Sequence, residues 1–245
     1  MAVTPETLAA AALVVAAAYA VFGLTGFGST VIALPLLAQF LPLRFAVPLM
    51  MLLDFSVFLA FGARFRRRIR LDVVGWLAPF MLAGMALGLA LLLRAAEQRL
   101  LAVLGAFLLA YAAYGLTRRG EPPQLARAWC APIGFAGGAF SAMFGTGGVL
   151  FAIYNSGRVR DKEALRATNA AMIMLSSVVR LVLFGATGLL SQDGLLLSAA
   201  ALLPALLAGF WLGNRLHAAV PAIVVLKAVY AVLVIAGLTL LARSL

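Results

Sequence analysis

The chain has 245 residues, of which 65% are hydrophobic and 11% charged, and a formal net charge of +11; its mean hydropathy is +1.10. Water-soluble domains carry about 25% charged residues, so these values exclude a soluble globular fold and point to an integral membrane protein. With roughly 20 apolar residues per helical span, the length allows roughly six to eight crossings and leaves no stretch for a separate soluble domain.

Apolar runs fall at 8–22, 28–41, 45–63, 73–93, 98–116, 129–154, 165–186, 194–214 and 220–241. The first follows a start, Met1 to Thr7, without Lys or Arg, so a cleaved signal peptide is not expected. A glycine-rich break, Thr25-Gly26-Phe27-Gly28-Ser29-Thr30, separates it from the second run, which contains Pro35. The third run starts near Pro48 and holds Asp54 and Ser56, and after it come Arg64, Arg66, Arg67, Arg68 and Arg70. Two further runs lead to a polar stretch, Thr117 to Arg127, with Pro122 and Pro123. The sixth run encloses a second break, Gly145-Thr146-Gly147-Gly148, and a basic connection with Arg158, Arg160, Lys162 and Arg166 follows. Thr168, Asn169, Ser176, Ser177 and Arg180 lie along the seventh run, and Lys227 lies in the last. Every run reads as helix, because membrane strands are segments of about ten residues with alternating polarity and these are continuously apolar.

The chain also repeats itself. Gly26-Phe27-Gly28-Ser29 has a counterpart in Gly145-Thr146-Gly147-Gly148, Phe61-Gly62-Ala63 in Phe184-Gly185-Ala186, and Ala83-Gly84 through Gly88 in Ala208-Gly209 through Gly213. Three anchors in one order predict two homologous halves, 1–116 and 129–245, joined by a linker at 117–128. Basic loops stay in the cytoplasm, which places Arg64 to Arg70 there. If each glycine-broken segment enters and leaves on one side, the connections holding Arg118, Arg119 and Arg127, the 158–166 segment and Arg215 join them. The N-terminus, Arg44, the Arg94/Glu97/Arg99 turn and the Asp193 loop then lie opposite. The predicted fold is therefore all-α, with each half one re-entrant helix pair plus three transmembrane helices, and the second half inverted relative to the first.

Broken helices at corresponding places of two repeats point to a transporter's binding site, and the amide ends they present favour an anion. Close helix packing at small residues is the competing reading of the same glycines. Charged residues inside a membrane are functional candidates by default. Arg180, a permanent charge and bidentate donor, is a candidate anion ligand or a side chain snorkelling to the interface; Asp54 is a candidate proton carrier or its structural partner. His217, alone in a loop, is a weak catalytic candidate, and Lys227, two turns from Pro221, reads as snorkelling. Cys130 is the single cysteine and reads as an apolar filler. No HExxH or GxSxG motif is present, so an intramembrane enzyme is not expected, nor a metal or cofactor. Nucleic acid is not an expected partner, since no basic stripe is interleaved with exposed aromatics.

Phe22-Gly23-Leu24-Thr25-Gly26-Phe27-Gly28 with Ala33-Leu34-Pro35-Leu36-Leu37, and Phe144-Gly145-Thr146-Gly147-Gly148 with Arg166-Ala167-Thr168, resemble the sulfite exporter TauE/SafE family of membrane permeases. Val149 stands where that family's second repeat often has a proline, and Tyr154 lies near the place Pro35 takes in the first half. The resemblance implies a multi-pass protein of the bacterial inner membrane that carries sulfite, sulfoacetate, thiosulfate or related small anions. The expected substrate site, at the midplane between the two breaks, is Thr25, Gly26, Phe27, Gly28, Ser29, Gly145, Thr146, Gly147, Gly148, Asn169, Ser176 and Arg180, with transport by rocking of one half against the other. Asp54 is the residue expected to couple it to protons. An anion channel and a non-transporting subunit of a larger complex are the alternatives; lipid is the expected surrounding partner, and assembly with identical chains stays open.

Overall fold

The computed structural model describes residues 4–25, 28–61, 69–117, 124–216 and 222–244. Among them every regular element is a helix: α1 (Pro5–Thr25), α2 (Ser29–Leu37), α3 (Leu43–Phe61), α4 (Leu71–Arg94), α5 (Glu97–Thr117), α6 (Cys130–Phe144), α7 (Gly147–Ser156), α8 (Lys162–Ala186), α9 (Leu195–Leu216) and α10 (Ala222–Ser244), with short 3-10 turns at Arg127–Trp129 and Leu189–Ser191. Six of these, α1, α4, α5, α8, α9 and α10, are long and apolar enough to cross a membrane. Hydrocarbon offers no partner to a bare amide, so helices, which satisfy their own backbone, are what such sequences form. The apolar run at 28–41 yields a helix of only nine residues, α2, and the run at 129–154 is two helices, α6 and α7.

Helix ends exposed by these connections find side-chain partners. Asp161 caps α8 by accepting from the Ala164 amide at 2.8 Å, satisfying one of the amides a first turn leaves over. Glu97, opening α5, accepts from the Leu43 amide at 2.9 Å and so closes the start of α3. Arg243 donates to the carbonyls of Ala38 and Gln39 at 2.9 and 2.8 Å, at the end of α2.

The helices form two compact units, one made of Met1–Leu53, Ala95–Arg119 and Leu189–Leu245, the other of Asp54–Arg94 and Gly120–Gly188. Each unit therefore combines helices from residues 1–116 with helices from residues 129–245. In the first unit α1 lies along α9: a Cβ at Gly209 or Gly213 would fall on the carbonyl of Ala16 or Ala20, and one at Gly23 on that of Phe210. Here α5 and α10 meet where Gly105 and Gly237 each face the other's carbonyl. In the second unit α4 lies along α6 in the same manner, with Gly84 against the Phe135 carbonyl, Gly88 against that of Ala139, and Gly138 against that of Met81. Association inside lipid relies on such close packing, because apolar helices gain little from leaving lipid for one another.

Gly84→Ala and Gly209→Ala each lower the thermal unfolding midpoint in detergent. The change raises helix propensity by roughly 0.5–1 kcal/mol, but overpacking costs about 1–3 kcal/mol, and at these backbone contacts the second effect wins. Gly75→Ala, where a Cβ meets nothing within 4 Å, leaves the midpoint unchanged or raises it.

Candidate functional site

The polar centre of the second unit is built around an interruption between α6 and α7. Gly145 closes α6 with φ 70°, in the left-handed region, and its amide donates to the Ser141 carbonyl at 2.9 Å. Glycine tolerates this conformation where a side chain does not. Thr146 follows and Gly147 opens α7. A Cβ on Gly147 would strike the Gly137 carbonyl and the Ser141 side chain, so only glycine lets α7 begin against α6. From there α7 doubles back: Phe151 covers Gly137, and the carbonyl of Gly157, just past the helix end, accepts from the Leu125 amide ahead of α6 at 3.3 Å.

Helix α8 runs antiparallel to α7. Gly148, in the first turn of α7, touches Ile173, while Asn155, in its last turn, donates through Nδ2 to Asn169 Oδ1 at 2.7 Å. Asn169, Ile173, Ser176 and Arg180 follow one another at helical spacing along one stripe of α8. Beyond Ile173 that stripe reaches past the N-terminus of α7. Ser176 and Ser141 share a hydrogen bond between their hydroxyls, and Arg180 Nη2 donates to Ser177 Oγ at 3.3 Å.

Burial sets the electrostatics. Arg180 is 2% exposed and Thr146 fully buried, with Ser141, Ser176 and Ser177 at 1–2%. The snorkelling orientation of Arg180 is thus not the one adopted. Thr146 Oγ1 has no hydrogen-bond partner among the described residues. A helix N-terminus carries the equivalent of about half a positive charge, and its first amides have no partner within the helix. A guanidinium keeps its charge at any physiological pH. A buried guanidinium on α8 and the N-terminus of α7 are thus two positive features of the same unit, each beside buried hydroxyls, in surroundings of low dielectric where charge interactions are strengthened. Such a region can receive an oxyanion, with the planar fork of Arg180, the α7 amides and the serine and threonine hydroxyls replacing its water.

Of the residues singled out in the sequence, Gly145, Thr146, Gly147 and Gly148 lie at this end of α7, Ser176 bonds to Ser141 beside it, and Arg180 lies one turn further along α8, whereas Asn169 is at the other end, joined to Asn155. Gly28 adopts φ 95° immediately before α2, and Ser29 is buried behind it at 5% exposure; both belong to the first unit. Thr25 is the last residue of α1. Asp54 is half-buried on α3, within the part of that helix assigned to the second unit. Lys227 is exposed on α10. Gly26, Phe27, Gly62, Ala63, Arg64, Arg66, Arg67, Arg68, Arg118, Arg119, Pro122, Pro123, His217 and Pro221 lie outside the described residues. Among the described residues no group of three or more His, Cys, Asp or Glu is placed to hold a metal ion. The sequence reading does not single out Ser141 and Asn155; Ser141 is a lone polar residue in an apolar run whose one signal is its position a turn before Gly145, and Asn155 falls just past that run, ahead of Ser156 and the basic connection.

A family profile described as Sulfite exporter TauE/SafE matches residues 10–240. The probable inner membrane transporter protein TsaS of Comamonas testosteroni is 29% identical over 197 residues, which is 78% of this chain and 81% of that protein. No solved structure matches.

The buried Ser141–Ser176 pair makes an energetic prediction independent of any cargo. Each single change to Ala strands the other hydroxyl and destabilises the fold by about 1–3 kcal/mol. The double change is milder than the sum, and a double-mutant cycle of unfolding in detergent reads the coupling; strict additivity would show that the pair contributes nothing.

Proposed function

The chain belongs to the sulfite exporter TauE/SafE family of membrane transporters, which are permeases and not enzymes, and on that premise we propose that it is a secondary transporter of small oxyanions. The cargo class is sulfur oxyanions and organosulfonates such as sulfite or sulfoacetate. They bind in the second unit beside the N-terminus of α7. One observation carries the reading: Arg180, 2% exposed, is one turn from Ser176, whose hydroxyl bonds to Ser141 against the start of α7. A buried guanidinium one turn from that hydroxyl pair, together with the helix N-terminus the pair lies against, favours an anion and disfavours a cation or a neutral solute. A sulfonate presents three acceptor oxygens, which suits a planar guanidinium, backbone amides and hydroxyls together.

The inverted repeat belongs to the same proposal. In the first unit α1 and α2, flanking Gly28, lie with α9; in the second α6 and α7, flanking Gly145, lie with α4. The glycine pairs Gly84/Gly88 and Gly209/Gly213 mediate the two corresponding packings, which supports α4 and α9 as equivalents. The starts of α4, α6 and α8 and the end of α7 come together in the second unit, where the Arg70 amide donates to Thr168 Oγ1 at 3.1 Å. With Arg70, Arg127, Arg158, Arg160, Lys162 and Arg166 on these segments, the positive-inside rule assigns this end to the cytoplasm. Similarity to a probable inner membrane transporter of Comamonas testosteroni supports placement in a bacterial inner membrane, with several crossings. Proton coupling through Asp54 is the energising step we propose.

Uptake into proteoliposomes of radiolabelled sulfite, thiosulfate, sulfoacetate and a carboxylate control tests the cargo and the site. Saturable uptake of a sulfur anion is expected, abolished by Arg180→Ala. Arg180→Lys, which keeps the charge and loses the fork, raises KM roughly tenfold; uptake by Arg180→Ala equal to wild type would remove this site.

Proton coupling has its own check. Asp54→Asn is expected to flatten the dependence of flux on an imposed pH gradient while leaving exchange of anion at equal pH. Unchanged gradient dependence takes Asp54 out of the mechanism.

A further inference from the structure

The opposite end of α7 from Arg180 closes a second polar place. A cavity of about 230 Å³ is lined by Asp72, Val73 and Trp76 of α4, Arg127 of the 3-10 turn before α6, Tyr154 of α7, and Arg158 just beyond it. The Arg127 guanidinium lies over the Trp76 ring. Both side chains line the cavity, so the guanidinium is available to it. Arg158 is anchored through Nη1 to the Leu125 carbonyl at 3.3 Å. Asp72 is held by Arg70 in a two-pronged pair, Nε to Oδ1 at 2.9 Å and Nη2 to Oδ2 at 2.8 Å. With that carboxylate offset by Arg70, Arg127 and Arg158 set the sign of the cavity, and it is positive.

We propose that this cavity binds the phosphate ester of an anionic phospholipid headgroup. Two guanidiniums and a phenol can serve the oxygens of a phosphate ester. The surroundings favour a lipid over a free phosphate. Trp76 and Trp129 are 38% and 52% exposed beside it, as indoles are at the headgroup level of a bilayer. One turn further along α4 Phe80, and on α6 Phe135, expose apolar surface along which acyl chains can lie. The cavity is at the basic end of the second unit, on the face where anionic headgroups concentrate and where basic pockets between helices capture them. It is separate from the oxyanion site: α7 has 10 residues, and at a rise of 1.5 Å per residue its two ends are about 15 Å apart. The inference therefore holds whatever the transporter carries.

The bound headgroup ties α4, α6 and the end of α7 together through one shared anion. The full chain in detergent, titrated with short-chain phosphatidylglycerol, phosphatidylcholine or inorganic phosphate, is followed by thermal unfolding and by native mass spectrometry of retained lipid. Phosphatidylglycerol is expected to raise the midpoint and to be retained in preference to phosphatidylcholine. The combined Arg127→Gln, Arg158→Gln variant weakens that binding at least fivefold, and the Lys, Lys variant recovers part of it. Size-exclusion elution and an unchanged thermal unfolding midpoint without added lipid report that the variants are folded. Inorganic phosphate at equal concentration gives no shift; a shift equal to that of the lipid would assign the cavity to a soluble phosphate and overturn the lipid reading. Equal retention of both lipids, or undiminished phosphatidylglycerol binding in the folded Gln variant, overturns the site altogether.

Discussion

Backbone-to-backbone contact at glycine is the interaction on which the rest of the second unit depends. Lipid supplies neither a hydrophobic push between helices nor a hydrogen-bonding partner for an open stretch of chain. The interruption at Gly145 is consequently tenable only if protein surrounds it. Gly84, Gly88 and Gly138 let α4 and α6 lie against each other's carbonyls, which fixes α6. The bare Cα of Gly147 lets α7 start against Gly137 and Ser141, which folds the chain back on itself. Only then can Ser141 reach Ser176 and Arg180 be covered. In the first unit the same device joins α1 to α9.

The two ends of α7 use positive charge in different ways. At its N-terminus the proposed oxyanion site pairs the helix dipole with the buried Arg180 of α8, in an interior where charge interactions are strong and little screened by salt. At its C-terminal end Arg127 and Arg158 line an accessible cavity together with Trp76 and Tyr154, where solvent and salt weaken each charge interaction. The first arrangement suits a small cargo that must be stripped of water and then released. The second suits a ligand that stays. A short helix seated on a glycine-lined neighbour positions both, since moving α7 displaces Thr146 and Tyr154 together.

Much of this protein is legible in its amino-acid sequence. Composition and the unbroken apolar runs dictate helices in a membrane, because a helix pairs its own polar backbone and a barrel would need alternating polarity. The two glycine breaks and the glycine spacing at 84/88 and 209/213 stand out because glycine in an apolar run has few uses other than a conformational break or a close contact. The role of each is not readable there: Gly145 turns the chain at φ 70°, while Gly84 serves as a contact surface. Both look identical in a linear sequence, since the difference lies in what approaches from outside. Ser141 and Asn155 escape notice for a related reason. A polar residue on such a helix has meaning only once its partner, Ser176 or Asn169, is brought within hydrogen-bond reach.

The sequence by itself determined the class of protein, its helices, its basic loops and the short list of intramembrane charges, all of which follow from local composition and period. Tertiary structure alone decided which helices pair, drawing α4 to α6 and α1 to α9 across the duplication, because complementary glycine surfaces match by shape rather than by distance along the chain. It also settled the position of Arg180. On an isolated α8 the side chain has two outlets, towards the interface or inwards; with α6 and α7 folded beside it, the inward one puts its guanidinium against Ser177 at 2% exposure.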